Sequence, residues 1–157
     1  VAILVGPGVN LDSARFIYSA LLNKGAVPRY VASRLGTVRD ANGDSISVDI
    51  SIEAGPSVLY DGMVIPDGDQ AVIALLRDAG AMDFVREQYR HCKPMWVVGD
   101  GINLLLNADI PLTLPNGEPD ASLIQAQSDE LADSLVRFEQ ALAQHREFDR
   151  ETDPPAI

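Results

Sequence analysis

Three short, uninterrupted apolar runs, each closed by a glycine-containing turn, limit what this chain can fold into more than any other feature. They are Val1 to Val5 before Gly6-Pro7-Gly8, Gly62 to Ile65 before Pro66-Asp67-Gly68, and Met95 to Val98 before Gly99-Asp100-Gly101. A strand with one wet face alternates apolar and polar residues. A strand apolar at every position is buried on both faces, which is the pattern of a parallel sheet covered by helices on either side. The sequence between the runs agrees. After the first, Phe16, Ile17, Ala20 and Leu21 recur at helical spacing, with Asp12 or Ser13 as cap and Gly25 as stop, before a second strand at Val27 to Ala32. Strand, helix, strand in this order closes as a right-handed crossover and commits the chain to a parallel sheet.

Between Leu35 and Tyr60 the pattern shortens and alternates, and Asn42-Gly43 is a strong hairpin turn between Thr37 to Asp40 and Ser45 to Val48. Residues 35–60 therefore read as a small antiparallel insertion or edge ribbon. Gln70 to Ala79 and Ala81 to His91 read as two helices broken at Gly80, and Ile102 to Asn107 as a short helix. Asp109 to Asp120, with three prolines, is irregular, and Leu123-Ile124 adds a brief strand. Ser128 to His145 is a helix with one apolar stripe of Leu131, Leu135, Phe138 and Leu142. The expected architecture is α/β: a three-layer, flavodoxin-like parallel sheet with helices on both faces and a small antiparallel hairpin insertion. A single domain is expected over residues 1–146, followed by a charged tail over 147–157 that has little to bury or lies as an arm on a neighbouring subunit.

With 157 residues and 46% hydrophobic content, one full-sized core is within reach. Twelve Lys and Arg against 23 Asp and Glu leave a net charge of -11, which repels nucleic-acid phosphates and anionic lipid surfaces. Partners of both kinds are therefore not expected. The lone Cys92 excludes an internal disulfide, so the expected setting is reducing and cytoplasmic. No apolar run approaches the roughly 20 residues that span a bilayer. A strand that starts at Val1, without a Met or lead-in, is expected of a piece cut from a longer chain.

In an open parallel sheet, chemistry sits at the carboxyl ends of the strands, here the turns Gly6 to Asn10, Pro66 to Asp69 and Gly99 to Asn103, which should converge on one crevice. The first turn lacks the G-x-G-x-x-G spacing of a dinucleotide site, since Leu11 stands at the third glycine position, and it carries no P-loop Lys. The third has the rhythm of a nucleophile elbow, a strained strand-to-helix turn that presents Ser or Cys to a nearby base. Its central residue is Gly99, which has no side chain to offer.

The order of elements and the segment from Lys93-Pro94 to Leu105 resemble the superfamily of PfpI peptidases and class I glutamine amidotransferases. That resemblance implies an elbow Cys followed by His and Gly, and an acidic residue after the first strand that assists the Cys. Gly99, Asp100 and Gly101 occupy the elbow positions and Asn10 the acid position, so nucleophile, His and acid are all replaced. Within the superfamily the chain most resembles the carboxy-terminal domain of bacterial-type large-subunit catalases. The likeness is carried by Val1-Ala2-Ile3-Leu4, Ser33-Arg34-Leu35-Gly36 with its hairpin, Ala54-Gly55-Pro56-Ser57, Val64-Ile65-Pro66, and Lys93-Pro94 leading to Gly99-Asp100. It implies a parent enzyme that converts hydrogen peroxide to water and oxygen on a haem in a preceding domain. Expected partners are then that catalase core and the other subunits of a homotetramer, with no cofactor, metal or catalytic residue in this chain.

Other residues admit a sharp and a bland reading. His91 and Cys92 suggest a base and thiolate, but neighbours at a helix end rarely point the same way, and a structural Cys is preferred. His91 and His145 have no partners at zinc-ligand spacing. Asp67, Asp69 and Asp100 could share a cation or a proton across the crevice, although Asp69 as a helix cap and the others as solvated acids is the simpler account. Trp96 reads as packing. Two rival functions remain open at this level: a holdase-like module with an apolar surface for unfolding clients, and an independent PfpI-type hydrolase or deglycase.

Overall fold

The structure, a computed structural model, describes residues 1–152. Among these, six parallel strands form the main sheet: β1 (Ala2–Leu4), β2 (Arg29–Ala32), β5 (Ile50–Ser51), β6 (Met63–Ile65), β7 (Met95–Val98) and β8 (Leu123–Ala126), in the order β5-β2-β1-β6-β7-β8. The remaining pair, β3 (Thr37–Arg39) and β4 (Ser45–Ser47), is a separate antiparallel hairpin in which Val38 faces Ile46 across the Asn42-Gly43 turn. Five helices accompany them: α1 (Leu11–Asn23), α2 (Asp69–Leu76), α3 (Ala79–Arg90), α4 (Ile102–Asn107) and α5 (Leu131–Gln144). This is the three-layer, flavodoxin-like arrangement expected from the apolar runs.

The pleat explains why those runs carry no polar residue. Ala2, Leu4, Met63, Ile65, Met95, Val97 and Leu123 point to one face, where they pack with α3, α4 and part of α2. Their neighbours Ile3, Val5, Val64, Trp96, Val98 and Ile124 point to the other, against α1 and α5. Trp96 is fully buried there, its ring 5.5 Å from that of Phe138 on α5, so it serves packing as expected.

Several local expectations need correction. The cap of α1 is Asn10, not Asp12 or Ser13; its Oδ1 accepts the Ser13 amide at 3.0 Å, and the helix starts one residue earlier than Asp12. The break between α2 and α3 falls at Arg77-Asp78 rather than Gly80, because the Asp78 carboxylate accepts the amides of both Gly80 and Ala81 and starts α3 there. The two-residue β5 falls within the expected insertion, yet it pairs in parallel with β2 as an edge of the main sheet. At the opposite edge, the Arg137 guanidinium of α5 donates to the Gln125 carbonyl of β8 at 3.1 Å.

The segment after α5 does not run as a solvated tail. Glu147 donates its amide to the Cys92 carbonyl at 2.7 Å, and Phe148–Arg150 forms a 3-10 turn. Arg150, 4% exposed, reaches back to Asp120 with Nε and Nη2 at 2.6 and 3.1 Å, donates from Nη1 to the Lys93 carbonyl at 2.7 Å, and covers the Tyr89 ring. A guanidinium with this many planar partners is buried because the irregular stretch before β8 supplies the matching carboxylate. The part of the expected tail from Asp153 to Ile157 lies outside the described residues.

Candidate functional site

The carboxyl ends of β1, β6 and β7 do meet, and Asp67 is where they meet. The Asn10 amide donates to the Asp67 carbonyl at 2.8 Å, which joins the first turn to the second. Gly68, at φ 134°, lies so close to Gly8, Val9 and Asn10 that a Cβ would strike their backbone, which is why a glycine stands there. The Asp67 side chain then joins the third turn: its Oδ1 accepts the Asp100 amide at 3.1 Å and the Gly68 amide at 2.8 Å. A fourth turn, after β8, contributes the Ser128 hydroxyl, which donates to Asp67 Oδ2 at 2.6 Å.

Gly99 keeps the left-handed backbone of an elbow, φ 52°, between β7 and the 3-10 turn Gly99–Gly101 that leads into α4. A Cβ placed on it would overlap the Asp67 carboxyl group. The space a nucleophile's side chain would need is therefore filled by a carboxylate from the neighbouring strand end. The same carboxylate accepts the amide of the residue after the elbow, the group that stabilises an oxyanion in hydrolases built on such a turn. Burial alone would raise the Asp67 pKa, but the bonds from Ser128, Asp100 and Gly68 outweigh it and hold the group below the ordinary 3.8.

The remaining candidates lie where chemistry is not favoured. Asn10 spends its side chain on capping α1. Asp100 is exposed, and Gly101 packs against Ile65, where a Cβ would come within 3.0 Å of the Ile65 side chain. Asp69 does not cap α2, since Gly68 holds that position; its two carboxylate oxygens accept from the Gln70 amide and side chain at 2.7 and 3.1 Å. Beside Gly99 is a shallow hollow of about 150 Å³ lined by Val97, Ile102, Gln125, Gln127 and Glu130. Among the described residues no group of three or more His, Cys, Asp or Glu is placed to hold a metal ion.

His91 and Cys92 separate as their adjacency suggested. His91 is on the surface, its Nε2 3.2 Å from Glu87, while Cys92 is 3% exposed at φ 57°. Burial, reinforced by Glu151, pushes the thiol pKa up against the pull of Arg150 and Arg146, which favours the protonated thiol over the nucleophilic thiolate. Sequence reasoning missed three groups: Ser128, Lys93 and Arg150. Lys93 is 2% exposed, and its Nζ donates to the Ser57 carbonyl at 2.8 Å, which the Gln88 amide also reaches. Burial, with Arg146 adding to it, pushes the Lys93 pKa down against Asp61. No helix of the described residues is long and apolar enough to cross a membrane.

Over 90% of this chain and 89% of theirs, the coordinates superpose on a DJ-1 superfamily protein from Salmonella typhimurium with a TM-score of 0.78 at 18% identity. A ThiJ/PfpI domain protein from Brachyspira murdochii gives 0.76 at 14% identity over 91% of this chain and 95% of that one. At such identities the likeness establishes the fold alone. Residues 1–152 match the model of the C-terminal domain found in long catalases, and the chain belongs to that family. A protein named catalase HPII from Mycobacterium avium is 34% identical over 98% of this chain and 23% of its own length. Its namesake from Pseudomonas aeruginosa is 29% identical over 100% of this chain and 21% of its own. The chain thus spans less than a quarter of the length of these relatives.

Proposed function

We propose that this chain is a non-catalytic accessory domain of a large-subunit catalase, contributing to the stability, assembly or channel shape of its parent. In this reading the conversion of hydrogen peroxide to water and oxygen takes place on a haem in the catalase core. The partners are that core and the neighbouring subunits of a cytoplasmic homotetramer. The observation that carries it is the elbow: the turn that would present a nucleophile holds Gly99, and Asp67 fills both the nucleophile's space and the hydrogen bond of the Asp100 amide. Membership of the long-catalase C-terminal family supports the choice of parent. Against a haem in this chain itself stands the placement of its possible ligands: Cys92, Tyr30, Tyr60 and Tyr89 are buried, with burial raising the pKa of each, while His91 and His145 lie on the surface.

The test is removal of the domain from the full-length catalase polypeptide. The expected result is earlier heat inactivation or loss of the assembled state, with unchanged turnover per haem in whatever remains assembled. Hydrolysis of peptides, or release of glycation adducts, by the 157-residue chain alone would refute the reading, because it would require a nucleophile the elbow does not have.

A further inference from the structure

We infer that the groove at the amino ends of β1 and β2 is the docking site for the stretch of parent polypeptide that directly precedes Val1, a deepening that rests on the accessory-domain reading. The groove has a volume of about 580 Å³ and is lined by Val1, Val27, Arg29, Leu59, Tyr60 and His145, among others. Its lining mixes polar and apolar groups, and two of the apolar ones are uncovered: Val27 is 60% exposed and Leu59 64%. Large apolar side chains gathered around a concavity are a contact surface awaiting a partner.

The identity of the occupant follows from where the rest of the parent must arrive. The relatives carry more than three quarters of their length outside the match, and the family is a C-terminal domain, so on the accessory-domain reading the rest of the parent enters at residue 1. Val1 lies in the groove itself. Its carbonyl accepts the Arg29 amide at 3.0 Å and its nitrogen donates to the Val27 carbonyl at 2.9 Å, so the backbone is already held at the groove floor. Burial pushes the pKa of this ammonium down, with Arg29 adding to the effect against Asp61. A peptide N–H would make the same bond to Val27 without bringing a charge into the groove. The preceding residues would then leave Val1 between Val27 and Leu59, presenting apolar side chains to both and polar ones to Arg29 and Asp61.

The experiment uses the full-length catalase polypeptide, with Leu59→Asp in the groove and Leu35→Asp as a control. Leu35 follows β2 at the opposite rim and is equally open, at 66% exposure. Hydrogen exchange is followed in residues 25–29 and 57–61, together with the rate at which protease frees the domain. The expected result is protection of both segments in the parent, lost on Leu59→Asp with at least a roughly tenfold faster release, the scale of one large apolar side chain leaving its contact. Leu35→Asp should release at the parental rate. Circular dichroism of the 157-residue chain with each substitution shows whether the domain itself stays folded; should Leu59→Asp unfold it, Val27→Ser replaces it. Equal behaviour of groove and control variants would overturn the docking site while leaving the accessory reading intact. That reading fails on the separate domain-deletion experiment.

Discussion

Replacing Arg150 with Ala should cost this domain a large share of its stability. The guanidinium side chain is 1% exposed and the Asp120 carboxylate 0%, joined by two bonds of 2.6 and 3.1 Å. Truncation removes the countercharge from a fully buried acid and leaves the Lys93 carbonyl without its 2.7 Å donor. Breaking a buried pair from one side costs about 3–5 kcal/mol, because the surviving charge stays desolvated. For a chain of this size each kcal/mol lowers Tm by about 2–4 °C, so a fall of about 6–20 °C is expected. Urea denaturation monitored through Trp96, the only tryptophan and fully buried, measures the loss directly. The double variant Arg150→Met with Asp120→Leu removes both charges and should recover most of it. A loss below about 1 kcal/mol for Arg150→Ala, the level of an exposed ion pair, would refute the reasoning. A double variant as unstable as the single would show that packing of the chain end, not charge, is what matters.

Three further outcomes follow from the site. Gly99→Cys should lower stability by about 1–3 kcal/mol, since it forces a side chain into left-handed backbone and against Asp67, and should bring no esterase turnover; a stable, active variant would show that the elbow is open. Asp67 has a depressed pKa in the fold, so its contribution is present above the ordinary 3.8 and is lost as pH falls through the lower folded value. Asp67→Asn should therefore flatten the acid limb of a stability-against-pH curve, and an unchanged limb would count against the three hydrogen bonds. Lys93 has the opposite sense: its folded pKa lies below 10.5, so the unfolded chain holds the proton more tightly and stability rises with pH toward that value. Lys93→Met should abolish that rise, and chemical denaturation between neutral and alkaline pH will show whether it does.

The sheet was legible because burial on both faces leaves a one-dimensional trace: no polar residue in Met95 to Val98, none in Met63 to Ile65. The elbow was legible for a related reason, since a glycine at Gly99 and another at Gly101 mark backbone that side chains would obstruct. What the sequence concealed are bonds between distant residues. Ser128 and Asp67 are 61 positions apart, and Arg150 and Asp120 are 30 apart, in stretches whose composition reads as ordinary polar loop. A charged residue near a chain end gives no local sign that a matching acid is waiting in the interior. The cap at Asn10 and the helix break at Asp78 lie within three residues of their expected places, because Asn, Asp, Ser and Gly crowd those turns and several of them satisfy the same capping geometry.

The contact between Arg137 and the Gln125 carbonyl has a bearing on life in a crowded cell. An outermost strand presents bare backbone that another molecule's outermost strand could zip onto, seeding fibrils or precipitate. A cation stationed over that margin makes such stacking electrostatically and sterically awkward. Substituting it should leave each molecule folded yet more prone to stick to its copies at high concentration.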